Sequence, residues 1–498
     1  MCKRNIAFAL AIAVLGCNGL AHAQQCPATV PAQGAPIAAP LPVFPADNWW
    51  NTDISAAPVD AKSASFIGFI GTTRKLHPDF GGEASPGSTA IYGFPYAVVS
   101  GSQAKQAVSF LYWDESDGVD MNSGAGIPFY PIPTQAISQA HWVEGGSPGS
   151  VDERDMGDRH LLMIDCTNRT LYELYNVWYS NTEKRWHAGS GAFYDMTRND
   201  RRPEGWTSAD AAGLAIFPGL VRYDEAANTA VADINHAFRV TVRTSNGHVY
   251  PASHTAGSTA GALPMGARLR LKKSVNGVDP VTRTTDPVAR KIFRAMQKYG
   301  LIVADNGSDM YISGTFNVRW NNGTLNPAFS ALSASDFEVV QLGWKPAAVP
   351  PKMFIDDASA KEGASGTKTL SFTVRLSAPA TSAVSVSVAT SNDTATAGSD
   401  YVAASGSLTF SPGQTARSFA VTINGDATRE ASETFRVTLT NPVNATLGDG
   451  QAIGTIVNDD LRTGGGQKPS PVGLASASAQ VNPLPPPRMK LPVKTGGE

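Results

Sequence analysis

Thr369-Leu370-Ser371-Phe372-Thr373-Val374-Arg375-Leu376 places an apolar residue at every second position. Successive side chains of a strand point to opposite faces, so this run is a strand with one buried face and one solvated face. Four further segments repeat the pattern: Val384, Val386 and Val388; Leu408 and Phe410; Phe419, Val421 and Ile423; Phe435, Val437 and Leu439. Turn residues separate them, and strands spaced this regularly build a sandwich.

Between and after these strands lie Thr394-Ala395-Thr396-Ala397-Gly398-Ser399-Asp400-Tyr401, Gly406-Ser407-Leu408-Thr409-Phe410-Ser411-Pro412-Gly413-Gln414-Thr415, Glu430-Ala431-Ser432-Glu433-Thr434-Phe435 and Ile456-Val457-Asn458-Asp459-Asp460. In this order and spacing they resemble the Calx-beta domain over residues 353–460. The resemblance implies an immunoglobulin-like sandwich, and some such domains bind calcium through loops at one end. Calcium takes about six to eight oxygens, mostly carboxylates and carbonyls from several loops. Carried over by motif position, the ligands would be Glu362, Asp393, Asp400, Asp426, Asp459 and Asp460. Asn458 stands where strong binders have another acid, and Ser405 stands where some have a glutamate. The loop before Thr394 is also one residue short, so the resemblance implies weak binding. The alternative is that these acids cap turns and solvate loop ends with no ion bound.

Working toward the N-terminus, Pro346, Pro350 and Pro351 mark a short stiff linker. Residues 44–345 contain no comparable break and read as one large domain. Ala97 to Val99, Val108 to Trp113, Leu161 to Ile164, Leu171 to Val177, Phe238 to Val242 and Ala267 to Leu271 are short apolar or alternating runs bounded by turn residues. Helical signals are few. Asp286 can cap a helix that starts at Pro287 and stops at Gly300, with Val288, Ile292, Ala295, Met296 and Tyr299 on one face. Shorter helices are expected over 61–70 and from Thr207 or Ser208 to Ala212. The fold class is therefore mainly β: a β-rich domain, jelly-roll or sandwich-like, with a few helices, followed by the immunoglobulin-like sandwich.

The two ends read differently from the middle. Lys3 and Arg4, the apolar run from Ile6 to Gly16 and Ala21-His22-Ala23 form a signal peptide over 1–23. Val14-Leu15-Gly16-Cys17 loosely resembles a lipoprotein cleavage box, but Leu15 fits it poorly, so free secretion is the expectation. Residues 24–43 read as an extended lead-in and 461–498 as a disordered tail. Cys26 and Cys166 remain after cleavage; an oxidising compartment would let them pair or leave two free thiols. Net charge is -2 with 16% charged residues, which excludes the basic stripe that nucleic acid requires. No later segment has the length and apolarity of a membrane span.

Candidate chemistry is concentrated in the large domain. Gly145-Gly146-Ser147-Pro148-Gly149 matches a hydrolase elbow in letters only, because Pro148 lacks the N–H that an oxyanion hole needs. In Gly157-Asp158-Arg159-His160, a strand would put Asp158 and His160 on one face, where the carboxylate could orient a general base. Between Arg198 and Glu225, arginines, Trp206 and carboxylates suit a sugar, and Asp210 or Glu225 could serve as a glycosidase acid or nucleophile. His254 belongs to a central set with His141, His187, His236 and His248. For each patch the alternative is ion pairing that braces loops, or scattered structural histidines.

Residues 49–338 also resemble a type of secreted bacterial protein without an assigned activity. The stretches that carry this are 157–160, 205–213, 218–225 and 304–308. Two functions follow as expectations. One is a secreted carbohydrate-active protein, a glycoside hydrolase or polysaccharide lyase acting on a polysaccharide or cell-surface glycan through Asp158, His160, Asp210, Glu225 and His254. The other is a non-enzymatic extracellular protein using its Calx-beta unit for calcium-dependent binding or adhesion. In either case a monomer is expected.

Overall fold

The computed structural model describes residues 26–37, 43–346, 350–380 and 382–460. The signal peptide, part of the lead-in and the C-terminal tail read from the sequence lie outside the described residues. The chain divides into two compact units after Pro346.

The first unit is built on a six-stranded sheet in the order Phe337–Val339, Arg268–Leu271, Leu301–Asn306, Phe238–Val242, Tyr311–Ser313, His77–Asp79. A five-stranded sheet runs Ala32–Gln33, Tyr96–Val99, Leu161–Asp165, Thr170–Tyr175, Ser190–Asp195. Parallel and antiparallel pairs are mixed: Phe238–Val242 is parallel to Leu301–Asn306 and antiparallel to Tyr311–Ser313. The expected strands are present because their apolar residues fill the interior; every residue of Tyr96–Val99 and of Leu161–Asp165 is buried.

The expected helix is Pro287–Lys298, and the Asp286 side chain accepts from the Ala289 N–H at 2.7 Å. Ser63–Ile70 supplies a second helix. The helix expected over 207–212 is absent. Ser208 Oγ accepts from the Asp210 N–H at 2.8 Å and donates to the Leu214 carbonyl at 2.6 Å, closing a turn instead.

The lead-in does more than approach the domain. Ala32 and Gln33 pair with Val98 and Ala97 at the edge of the five-stranded sheet, and Cys26 is disulfide-bonded to Cys166 with Cα atoms 5.3 Å apart. The bridge closes a loop of 140 residues. Loop-closure entropy of that size contributes up to about 5 kcal/mol by constraining the unfolded chain. Cys26→Ser should therefore lower the unfolding midpoint of the first unit in urea, and adding reductant to the native protein should do the same. An unchanged midpoint in both would show that the bridge adds no stability.

The second unit is a sandwich of two sheets. One runs Ala416–Gly425, Gly366–Leu376, Lys352–Ile355, Thr446–Asp449; the other runs Ala358–Lys361, Gln451–Val457, Glu433–Val443, Val384–Asn392, Ser405–Phe410. Leu370, Phe372, Val374 and Leu376 are buried while the residues between them are exposed, as the alternation requires. Phe435 stacks on Tyr401 with centroids 4.5 Å apart and meets Phe372 edge-on at 5.8 Å. Gly454 makes this aromatic layer possible, since a Cβ there would lie 2.5 Å from the Phe435 ring and 2.8 Å from Phe372. Gly454→Ala should destabilise the sandwich by about 1–3 kcal/mol through overpacking, read as a lower thermal midpoint of this unit.

Candidate functional sites

Arg239 is the centre of the large unit's polar interior. It sits in the strand Phe238–Val242 and is 3% exposed. Arginine stays charged in proteins, so burial obliges it to find acceptors. Asp210 accepts from Nε and Nη2 at 3.0 and 2.7 Å, Asp305 from Nη2 at 2.8 Å, and Ser313 Oγ from Nη1 at 2.8 Å. The Phe94 ring lies 5.6 Å from the guanidinium. Burial pushes Asp210 up to about 6 against the pull of Arg239.

His160 extends this network. Its Nδ1 lies 2.6 Å from Glu144 Oε2 and its Nε2 lies 2.8 Å from the Ala209 carbonyl. Both partners are acceptors, so both ring nitrogens donate and the ring is an imidazolium. Burial opposes that charge, but Glu144 outweighs it and raises the His160 pKa to about 9. Desolvation likewise pushes Glu144 up, yet the imidazolium holds it below the ordinary glutamate range. Glu173, fully buried, accepts from the backbone N–H groups of Ile216 and Phe217 at 2.8 Å each, and burial pushes it up to about 7.

Three of the five expected residues meet around the turn at 208–212, but in other roles. His160 donates to the Ala209 carbonyl, His254 Nδ1 donates to the Ala211 carbonyl at 2.8 Å, and Asp210 between them holds Arg239. His160 has no nitrogen left to act as a base. Asp210 is 1% exposed and spent on Arg239. Asp158 does not orient His160, because Arg159 takes a left-handed conformation (φ 49°) and the strand begins only at Leu161. Glu144 fills that place. Glu225 lies apart on a separate cavity, its oxygens held by Arg222 Nη2 at 2.6 Å and His236 Nε2 at 2.8 Å. Among the other histidines, His248 bonds Glu204 and Thr255, and His141 bonds the Ser88 carbonyl, so they do not share one cleft. Gly145-Gly146 is a turn with both φ values positive.

Glu144, Glu173, Arg239 and Asp305 escaped the sequence reading. Two of them carried a signal. Arg239 and Glu173 interrupt apolar strands, and a charge inside a buried strand must have a buried partner.

The second unit holds carboxylates that converge without a cation from the protein. Ligand oxygens of Asp400, Glu430 and Glu433 lie within 4.8 Å of one another. Glu362 is 3% exposed, and its Oε1 is buried with no hydrogen-bond partner, as is Asp460 Oδ2. Desolvation and the charges of Glu430, Asp426 and Asp460 raise Glu362 above the ordinary range. Desolvation, Asp400, Glu430 and Glu362 push Glu433 up to about 7. Of the six expected ligands, Glu362, Asp400, Asp426 and Asp460 fall in this mutually repelling set. Asp393 is turned away, to Thr434 Oγ1 at 2.8 Å and Arg436 at 3.5 Å. Asp459 accepts from the Gly363 N–H at 2.9 Å. Glu430 and Glu433, quoted in the motif, were not expected as ligands.

His160's pKa lies above the 6.5 of an unperturbed imidazole, so folding favours its charged form. That contribution is complete below about pH 6.5 and lost as pH rises through about 9, a total on the order of 3 kcal/mol. The first unit should lose thermal stability across this window. His160→Gln should be less stable at the low end and flatten the slope; an unchanged slope would contradict the assignment.

Residues 352–460 match the family described as the Calx-beta domain. No curated protein matches the chain. Among solved structures, the apo-form Calx CBD1 domain is 26% identical over 22% of this chain and 98% of that one, with a TM-score of 0.20. The calcium binding domain CBD12 of CALX1.1 is 26% identical over 22% of this chain and 46% of that one, also with a TM-score of 0.20, so less than half of its length is spanned. The Calx CBD2 domain is 19% identical over 21% of this chain and 84% of that one, with a TM-score of 0.19. The sandwich at residues 352–460 is a Calx-beta domain.

Proposed function

We propose that the protein is exported and works outside the cytoplasm as a calcium-dependent binding or adhesion protein, with the Calx-beta unit taking up Ca2+ at its acidic end. The observation that carries this is the pair of orphaned oxygens, Glu362 Oε1 and Asp460 Oδ2, buried beside like charges. Leaving a buried acceptor unpaired costs about 1–3 kcal/mol, more for a charged group, and a bound cation would remove that cost. The donor set is all oxygen, which suits Ca2+ rather than a softer metal. Glu362, Asp400, Asp426, Glu430, Glu433 and Asp460 would hold it. The bound ion would supply the missing positive charge and tie the loops together. The signal-like residues 1–23 and the Cys26–Cys166 bridge support export, since disulfides persist in oxidising compartments. Among the described residues no helix is long and apolar enough to cross a membrane. A carbohydrate-active reading built on His160, Asp210 and Glu225 loses support, because these groups are buried and already bonded to other protein groups.

Calorimetry on the full chain tests this. Ca2+ should bind with measurable heat and raise the unfolding temperature of the second unit, by about 2.7 kcal/mol of stability at a concentration 100-fold above Kd. Asp400→Asn and Glu433→Gln should weaken binding at least tenfold, while Asp393→Asn should leave it unchanged. No heat at millimolar Ca2+, or equal loss in Asp393→Asn, would overturn the proposal.

A further inference from the structure

The edge strand His77–Asp79 of the six-stranded sheet is the floor of a continuous groove. A cavity of ≈ 710 Å³ and one of ≈ 240 Å³ share Asp79 and Tyr92, and a third of ≈ 520 Å³ shares His77 and Tyr311 with the first. Aromatic faces line its length. Tyr92 is 54% exposed, and the rings of His77 and Tyr311 pack at a 35° tilt with centroids 4.4 Å apart. Asn326, exposed on the helix Asn322–Ser330, adds an amide. Flat aromatic faces combined with amides and carboxylates suit a hydroxyl-rich ring, whose C–H face packs on the aromatic while its hydroxyls find acceptors.

Two carboxylates face the narrow part of this groove, Asp79 and Glu144. Their surroundings differ. Glu144 is anchored through Oε2 alone, by His160 Nδ1 at 2.6 Å and the His160 N–H at 3.1 Å. Its Oε1 makes no hydrogen bond among the described residues, and the side chain stays 22% exposed. Behind it stand the His160 imidazolium and Arg239, which keep it ionised. The Asp79 side chain forms no hydrogen bond or ion pair among the described residues, and desolvation and the Glu144 charge raise its pKa. A carboxyl whose pKa is raised, facing a carboxylate whose pKa is lowered, is the pairing that glycoside hydrolysis requires. The groove's remaining charges at this point are Glu153 and Asp158, with Arg159 tied to Glu153, the Pro148 carbonyl and the Val177 carbonyl. At this narrow part the described residues place no unpaired cation beside Asp79 and Glu144, so a neutral ring fits there better than a uronate, while Arg74 and Lys75 line the far end of the groove.

We propose that this groove binds a neutral oligosaccharide and that Asp79 and Glu144 hydrolyse a glycosidic bond across it. Asp79 gives its proton to the bridging oxygen as the C1–O bond breaks. The Glu144 carboxylate takes a proton from a water whose oxygen bonds C1. One water is consumed, one hemiacetal and one free hydroxyl form, and the proton on Glu144 returns to Asp79 through solvent. His160 is a positioning residue that aims Glu144. This inference is independent of the calcium reading, which concerns the other unit.

The test is to incubate the full chain with neutral hexasaccharides of glucose, mannose, xylose and N-acetylglucosamine, then measure new reducing ends by chromatography. Cleavage of at least one is expected. Asp79→Asn should lower the rate at least about 100-fold, the usual contribution of a general acid. Asp79 is exposed, so that variant should keep the wild-type unfolding temperature. Tyr92→Ala should raise KM several-fold with kcat little changed, separating binding from chemistry. His160→Gln should lower kcat more than it changes KM. No new reducing ends on any of the four, binding without cleavage, or full activity in Asp79→Asn would each overturn the assignment.

Discussion

A charge taken out of water must meet its opposite, and the two units answer that demand in opposite ways. In the large unit the opposite charge is supplied from within. Arg239 lies in a central strand, and its three donor nitrogens draw in Asp210 from a loop, Asp305 from a strand end and Ser313 from an adjacent strand. Removing one partner of such a buried group costs on the order of 3–5 kcal/mol, because the remaining charge is left uncompensated. The turn at 208–212 is shaped by this requirement. Asp210 points inward to Arg239, which leaves the Ala209 and Ala211 carbonyls to accept from His160 and His254. Ser208 then closes the turn by bonding its own backbone.

In the Calx-beta domain no opposite charge comes from the protein at the acidic end. The two arginine ion pairs among the described residues of the sandwich go to other acids: Arg375 pairs with Asp356 and Arg436 with Asp393. Glu362, Glu430 and Glu433 therefore have raised pKa values, and Glu362 and Asp460 each leave a buried oxygen without a partner. A hard divalent cation, as proposed, would resolve that imbalance with one ion. The sandwich core, with Phe435 between Tyr401 and Phe372, fixes the strand ends from which these loops spring.

The two units were unequally legible in the sequence. Period-two alternation depends only on neighbours along the chain, so Leu370 to Leu376 announced both a strand and its buried face. Four of the acids carried over from the Calx-beta motif lie in the acidic set, but the motif could not tell that Arg436 pairs with Asp393 or that Glu433 joins Asp400 and Glu430, since those outcomes depend on cross-strand neighbours. In the large unit the strands were visible as apolar runs while their pairing was not, because mixed sheets join segments far apart in sequence. The stretches 157–160 and 205–213 stood out in the sequence as polar patches, and His160 does reach the Ala209 carbonyl. Their roles were misread because Asp158 and His160 are two residues apart in sequence, whereas the carboxylate that orients His160 is Glu144, sixteen residues back. Asp79, on an edge strand of three residues, gave no signal at all.

Under the proposed function, the acidic end of the Calx-beta domain holds Ca2+. Hydrogen exchange on the full chain, with and without saturating Ca2+, tests it most directly, because it reads order at each loop rather than binding in bulk. The account predicts slowed exchange confined to the loops that carry Glu362, Asp400, Asp426, Glu430 and Asp460, with the amides of the first unit unchanged. Identical exchange in those loops with and without the ion would contradict it.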